Sequence, residues 1–180
     1  MGCRETSIRG HAQNPSDIER AILAAPAPIK GVIHLAMQLR DASVLDMTYA
    51  QWVEVLAPKV DGAWNLHRAL GNETLDFFVL TSSLSTVYYQ PGQSNYNAAN
   101  TFMEAFCQYR HTLGLPASVL KVAPIEGVGF VPENGEARRK LKAQGHWFLD
   151  ERALLEFLEL GIWNSFPVGL ERDDDGSGGA

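Results

Sequence analysis

Cysteine is scarce in this chain: Cys3 and Cys107 are the two in 180 residues. They show neither metal-ligand spacing nor a disulfide framework, so a reducing compartment, the cytoplasm, is expected. Long apolar runs are missing too. Gly31–Val32–Ile33 and Phe77–Phe78–Val79–Leu80 are far too short to cross a bilayer. The net charge of −6 is mild, and no cluster of Lys and Arg gives the electrostatic footprint of a nucleic-acid binder. The charged start, Arg4 and Glu5, is not followed by an apolar stretch, so no secretory signal is expected. What remains is an ordinary globular balance, 46% hydrophobic and 20% charged, in a length that suits one domain with a closed core.

At the N-terminus, Met1–Gly2–Cys3 with Thr6 matches the myristoylation pattern and sets a palmitoylatable cysteine beside it. The competing reading makes Gly2 to Arg9 the entry to a strand, with Cys3 to Gly10 as a short strand ending in a loop. Asn14–Pro15–Ser16–Asp17 then predicts a helix start, with Ser16 as N-cap for Asp17 to Ala25. Pro26 and Pro28 stop that helix. Ile29 to Ala36 (IKGVIHLA) is a short, nearly continuous apolar run, as in a strand buried on both faces of a parallel sheet.

Ala50 to Leu70 has helical periodicity, with Trp52, Leu56, Val60, Ala63 and Leu70 on one side and Gly71–Asn72 closing it. Leu75 to Thr81 (LDFFVLT) predicts a second buried strand ending in Ser82–Ser83. A loop from Tyr89 to Ser94 leads to a helix over about Asn95 to Leu113, ended by Gly114–Leu115–Pro116. Ala117 to Val122 predicts a third strand. Strands alternating with longer helices predict an α/β fold with a parallel sheet. Beyond Pro124 the pattern loosens into a Gly/Pro-bearing loop and helical pieces at Glu136–Ala143 and Glu151–Leu160. The expected organisation is one unit over 1–165 and a charged Gly/Ser tail over 166–180, expected to be disordered.

Three residue types gather where chemistry is plausible. Ser83 stands at the mouth of a buried strand, thirteen residues before Tyr96. Tyr96 and Asn100, four apart, share one helix face that continues as Met103 and Cys107. A hydroxyl, a phenol and an amide converging there can polarise a carbonyl and pass it a proton. A phenol near its free pKa of about 10 needs a cation nearby to work at neutral pH. Lys59, three residues after Leu56 and four before Ala63, is the candidate cation because it falls inside the apolar stripe of its helix. The alternative is a lysine that snorkels to the helix edge.

At this point the residues carry a resemblance. Lys59–Val60–Asp61–Gly62–Ala63–Trp64–Asn65–Leu66–His67 resembles the K-V-x-G-x-W-N-L-H signature of polyketide-synthase ketoreductase domains, relatives of the short-chain dehydrogenases/reductases. Ser82–Ser83 with Gly92–Gln93 and Tyr96–Asn97–Ala98–Ala99–Asn100 resembles that family's S-S-(x)n-G-Q-x-x-Y-x-A-A-N. Gly31 to Asp41 and Ile125 to Asn134 resemble the iterative, highly reducing fungal type.

The resemblance implies NADPH-dependent reduction of a β-ketoacyl group, carried on an acyl carrier protein, to a β-hydroxyacyl group. Under it, Tyr96 donates the proton, Ser83 orients the carbonyl, and Lys59 lowers the phenol's pKa and holds the nicotinamide ribose. Asn100 takes the position where ordinary short-chain dehydrogenases carry the lysine. His34, Leu35 and Ala36 lie beside the adenosine half, Ala123 and Pro124 approach the nicotinamide, and Gly127 to Glu136 belongs to a substrate lid.

The sequence also departs from the pattern. Before residue 50 the glycines are Gly2, Gly10 and Gly31, and none forms G-x-G-x-x-G ahead of a helix. Gly10–His11–Ala12 stands where the family usually has Gly–Asp–Val. The expected fold is therefore a partial Rossmann-like parallel sheet flanked by helices, lacking the first βαβ cofactor-binding unit and leaving a sheet edge exposed. Each missing contact to the pyrophosphate is worth roughly 1.5–3 kcal/mol, so weak cofactor binding by this stretch alone is expected. Three readings stand open: a ketoreductase working within a larger synthase or completed by another polypeptide, an inactive ketoreductase-like chain that serves as an interaction module, and a self-standing reductase with an unusual cofactor mode.

Overall fold

The computed structural model describes residues 4–71, 74–88, 90–127 and 135–166. In chain order the elements are α1 (Pro15–Leu23), β1 (Gly31–His34), α2 (Tyr49–Ala69), β2 (Phe77–Ser83), α3 (Ser94–Thr112), β3 (Ser118–Val122), α4 (Gly135–Ala143) and α5 (Glu151–Trp163). The three strands form one parallel sheet in the order β1-β2-β3. Gly31 stands opposite Phe77, and Val79 opposite Ser118. Each crossover is a long helix, α2 between β1 and β2 and α3 between β2 and β3, as parallel pairing requires.

The central strand explains the core. In β2, Phe78, Val79 and Leu80 are fully buried, and Met103 and Phe106 of α3 pack with Phe78 and Leu80 in the main apolar cluster. Each such side chain contributes about 1.5–3 kcal/mol by leaving water. Gly31 is required by close approach: a Cβ there would fall 2.0 Å from the Phe77 ring. At the far end of α3, Arg110 is buried without a carboxylate in the ion pairs of the described residues. It lies 4.0 Å from the Phe78 ring centroid, donates to the Pro116 carbonyl and meets His67 Nδ1 at 2.8 Å.

Several expectations are corrected. Residues 4–10 form no strand. The end of this stretch bonds to α1 side chains instead, with Arg20 donating to the Arg9 carbonyl and the adjoining His11 N–H donating to Asp17. The N-cap of α1 is Asn14, which accepts from the Ser16 N–H, so the helix begins at Pro15, a position that suits proline's missing donor. On α2 the buried arc is Val55, Pro58, Lys59, Gly62, Ala63 and Asn65. Trp52 instead joins Tyr49, Val53, Leu56, Ala57 and Val60 around an open groove on the outer side. Ala63 and Leu70 of the expected stripe are in the core, but at its start the buried face is turned to Val55, Pro58 and Lys59 and away from Trp52, Leu56 and Val60. β1, expected to be buried on both faces, leaves Ile33 exposed on one; the elements otherwise follow the predicted order, with boundaries shifted by a few residues. Residues 1–3 with the lipidation pattern, most of the lid (128–134) and the tail (167–180) lie outside the described residues. No helix among the described residues is long and apolar enough to cross a membrane.

Candidate functional site

The site is built at the carboxyl ends of the strands, where open parallel sheets bind ligands. Ser83 is the last residue of β2, still extended, and its Oγ accepts the Ser85 N–H at 3.1 Å. That bond caps a short 3₁₀ turn, Leu84–Thr86, and leaves the Ser83 hydroxyl to donate elsewhere, with the Tyr96 phenol as a hydrogen-bonding neighbour. The chain then enters α3, whose first turn carries Tyr96.

Asn95 fixes that turn. It is fully buried; its Nδ2 donates to the Arg40 and Gln51 carbonyls at 3.0 and 3.4 Å, and its Oδ1 accepts the Tyr96 N–H at 2.8 Å. The loop after β1 and the helix α2 are thereby tied to the residue that presents the phenol. Asn97 lies on another side of the same turn and does none of this. Nothing local to Asn95 shows which carbonyls it reaches, so its role is visible only in the fold.

Tyr96 is half-buried, and burial raises its phenol pKa. The side chains of Asn100 and Ser83 act as hydrogen-bond partners that oppose the rise, while the charge of Asp41 adds to it. The structure thus brings Ser83, Tyr96 and Asn100 together. Asn100 is fully buried, its Nδ2 donates to the Tyr96 carbonyl at 2.9 Å, and its Oδ1 has no partner among the described residues.

Lys59 does not snorkel. It is 2% exposed, and its Nζ donates to the Thr81 carbonyl at 2.6 Å, two residues before Ser83. Burial pushes its pKa down to about 8. Thr81 in turn donates from its hydroxyl to the His34 carbonyl at 3.0 Å, so lysine and both strand ends form one network. The groups that lower the phenol's pKa are Asn100 and Ser83, whereas the Lys59 charge acts on His34.

The remaining expected positions are mixed. His34 is buried against α2, where a Cβ on Gly62 would fall 3.1 Å from its ring. Burial, then the Lys59 charge, push its pKa down to about 4, and its Nε2 has no hydrogen-bond partner among the described residues. Leu35 is exposed and Ala36 half-buried, just past the strand. Ala123 and Pro124 follow β3 directly, and Pro124 is held by the Leu149 N–H donating to its carbonyl at 2.8 Å. His11 and Ala12 sit in the loop before α1, where Asn65 Nδ2 donates to the Ala12 carbonyl at 3.1 Å.

Comparison with known proteins converges on one family. A model of the KR domain matches residues 1–127. The highly reducing polyketide synthase g433 of a Fusarium species is 48% identical over 94% of this chain, and lcsB of Purpureocillium lilacinum is 46% identical over 97%. The chain spans about 7% of the length of those synthases. Among solved structures, an A1-type ketoreductase superposes with a TM-score of 0.80 at 29% identity, covering 87% of this chain and 33% of that one. An A-type ketoreductase from a modular polyketide synthase gives 0.80 at 30% identity with the same coverage. With the sheet, the helices and these relatives in agreement, the chain belongs to the ketoreductase (KR) domain family of polyketide synthases.

Proposed function

We propose that the chain carries the carbonyl-reducing site of a polyketide-synthase ketoreductase, which converts a β-ketoacyl thioester on an acyl carrier protein to the β-hydroxyacyl form with NADPH, in the cytoplasm. The observation that carries this reading is the Tyr96 phenol, carried on the first turn of α3 beyond the carboxyl end of β2, with the Ser83 and Asn100 side chains as its hydrogen-bonding neighbours.

The residues present suit the nicotinamide half of such a cofactor. Lys59 Nζ uses one N–H on Thr81 and has no ion pair among the described residues, so its other N–H groups suit ribose hydroxyls. The unpartnered Asn100 Oδ1 is a buried acceptor in the same neighbourhood, and such orphans are costly unless a ligand uses them. Ala123 and Pro124 border the space. When bound, reduced nicotinamide supplies the hydride.

The protein's own part is proton placement. The Ser83 hydroxyl, its oxygen already accepting from Ser85, donates to the substrate carbonyl and holds it. Tyr96, whose pKa is raised by burial, keeps its proton at neutral pH and releases it to the carbonyl oxygen as negative charge develops there. Positioned acids of this kind contribute about 10²–10⁴-fold.

The interaction-module reading has one observation in its favour. β1 is an edge strand of the sheet, with Ile33 and Leu35 exposed on and beside it. Titration of the folded chain with NADPH, read by cofactor fluorescence, separates the two. Saturable binding that weakens in Lys59→Met supports the ketoreductase site. No binding up to millimolar cofactor overturns the cofactor assignment for this chain and favours the module.

A further inference from the structure

The face of α3 that carries Tyr96 and Asn100 continues one turn on to Glu104. Glu104 does not face open water: its side chain is 23% exposed. Its Oε1 accepts from the Ser82 hydroxyl at 2.8 Å and from the Thr86 hydroxyl at 3.0 Å. Its Oε2 meets Lys121 Nζ of β3 at 3.0 Å. The Thr86 hydroxyl divides its donation between Glu104 and the Ser83 carbonyl, also at 3.0 Å. One carboxylate therefore grips the chain immediately before Ser83 and three residues after it.

The grip is maintained as an anion. Burial alone would raise the Glu104 pKa, but hydrogen bonds from Lys121, Ser82 and Thr86 outweigh it and hold the group below the ordinary carboxylate value. Hydrogen bonds to a charged acceptor are shorter and roughly twice as strong as neutral ones. The turn they fix is the one in which the Ser85 N–H occupies the Ser83 oxygen.

We infer that Glu104 is a positioning residue for the proposed reduction site, which through Ser82 and Thr86 sets the 3₁₀ turn that aims the Ser83 hydroxyl beside the Tyr96 phenol. The inference rests on the proposed function for its catalytic consequence, but the brace itself is a property of the folded chain. Glu104 takes no part in bond making. The competing explanation is an ion pair with Lys121 that matters only for surface charge, and pairs this exposed contribute little.

Amide hydrogen exchange at Ser85 reads the brace without cofactor or substrate. In Glu104→Ala, exchange at Ser85 is expected to speed up at least about tenfold, the equivalent of one lost hydrogen bond. The Met103 and Phe106 amides of α3 should keep their wild-type rates, which shows that the fold stands. Glu104→Gln retains an oxygen acceptor for both hydroxyls and should restore slow exchange, and Lys121→Met should leave it slow. Unchanged Ser85 exchange in Glu104→Ala, or an equal speeding in Lys121→Met, would overturn the inference. In a thioester reduction assay, Glu104→Ala should lower kcat and leave the NADPH dissociation constant unchanged, with no further loss in a Ser83→Ala background. Additive losses in that double variant would also overturn it. With this sequence replacing the corresponding segment of a fungal highly reducing synthase, a wild type that reduces nothing refutes the proposed function, while the Ser85 exchange still decides the brace.

Discussion

Replacing Lys59 by methionine keeps the length of the side chain and removes its charge. The wild-type ammonium is 2% exposed and its pKa falls from 10.5 to about 8, through burial. That depression corresponds to about 3 kcal/mol of instability at neutral pH, the cost of holding the charged form in the fold. The sign follows from proton counting. Below pH 8 the lysine is charged in both states and the penalty is complete. Between 8 and 10.5 the folded protein has lost the proton while the unfolded chain still binds it, so stability rises with pH. Against this, the methionine variant leaves the Thr81 carbonyl without its Nζ donor, at a cost of about 1–3 kcal/mol at any pH. At pH 7 the two effects nearly cancel, and the variant should fall within about 2 kcal/mol of wild type. By pH 9.5 the wild type should have regained about 2 kcal/mol that the variant cannot regain. Urea denaturation of both proteins at pH 7 and 9.5 measures the difference. A stability gap that is the same at both values would refute the buried, uncompensated cation. The variant's NADPH binding should be weakened at either pH.

Acid should act through His34. Its imidazole is pushed down to about 4 by burial and then by the Lys59 charge, so the stability it confers is complete above about pH 6.5 and falls by about 3 kcal/mol as pH drops to 4. His34→Gln should show a shallower loss across that window in urea titrations, and an unchanged slope would argue against a neutral buried imidazole. Gly31→Ala should lose about 1–3 kcal/mol or more from overpacking, since the new Cβ falls 2.0 Å from the Phe77 ring. The same substitution in a Phe77→Ala background should cost clearly less, and equal costs in thermal melts of both pairs would contradict the clash.

The order of strands and helices was legible because each crossover writes two signals: a short apolar run for the strand and a longer periodic segment for the helix. Ser83, Tyr96 and Asn100 were legible for the same reason, since strand end and helix face are local properties. Lys59 was found by its apolar surroundings, although of the stripe that suggested it Ala63 and Leu70 pack in the core while Trp52, Leu56 and Val60 do not. Trp52 and Leu56 line the outer groove, and burial instead follows Val55, Gly62 and Ala63. Large apolar residues outweigh small ones in any count of periodicity, yet it is the small ones that let a sheet and a helix approach.

What escaped the sequence depends on distant partners. Residues 4–10 alternate like a strand, but a strand exists only where another pairs with it, and here α1 takes their bonds. Asn95 and Glu104 look like ordinary polar residues of a helix until the Arg40 carbonyl and Ser82 hydroxyl are seen to meet them. For Glu104 one faint signal existed, its spacing of four from Asn100 and eight from Tyr96. Arg110 stands in the last turn of α3, where basic residues usually favour the helix end from the surface, and the Pro116 carbonyl, the His67 ring and the Phe78 ring explain its burial.

The central claim is that Tyr96 delivers the proton in a carbonyl reduction. The chain covers about a third of the solved ketoreductase chains it matches. The reaction is therefore best followed with this sequence replacing the corresponding segment of a fungal highly reducing synthase, supplied with NADPH and a β-ketoacyl thioester. The account predicts β-hydroxyacyl product from the wild-type sequence and a loss of at least about 10²-fold in Tyr96→Phe, with NADPH binding retained. Reduction at an equal rate by Tyr96→Phe would contradict it.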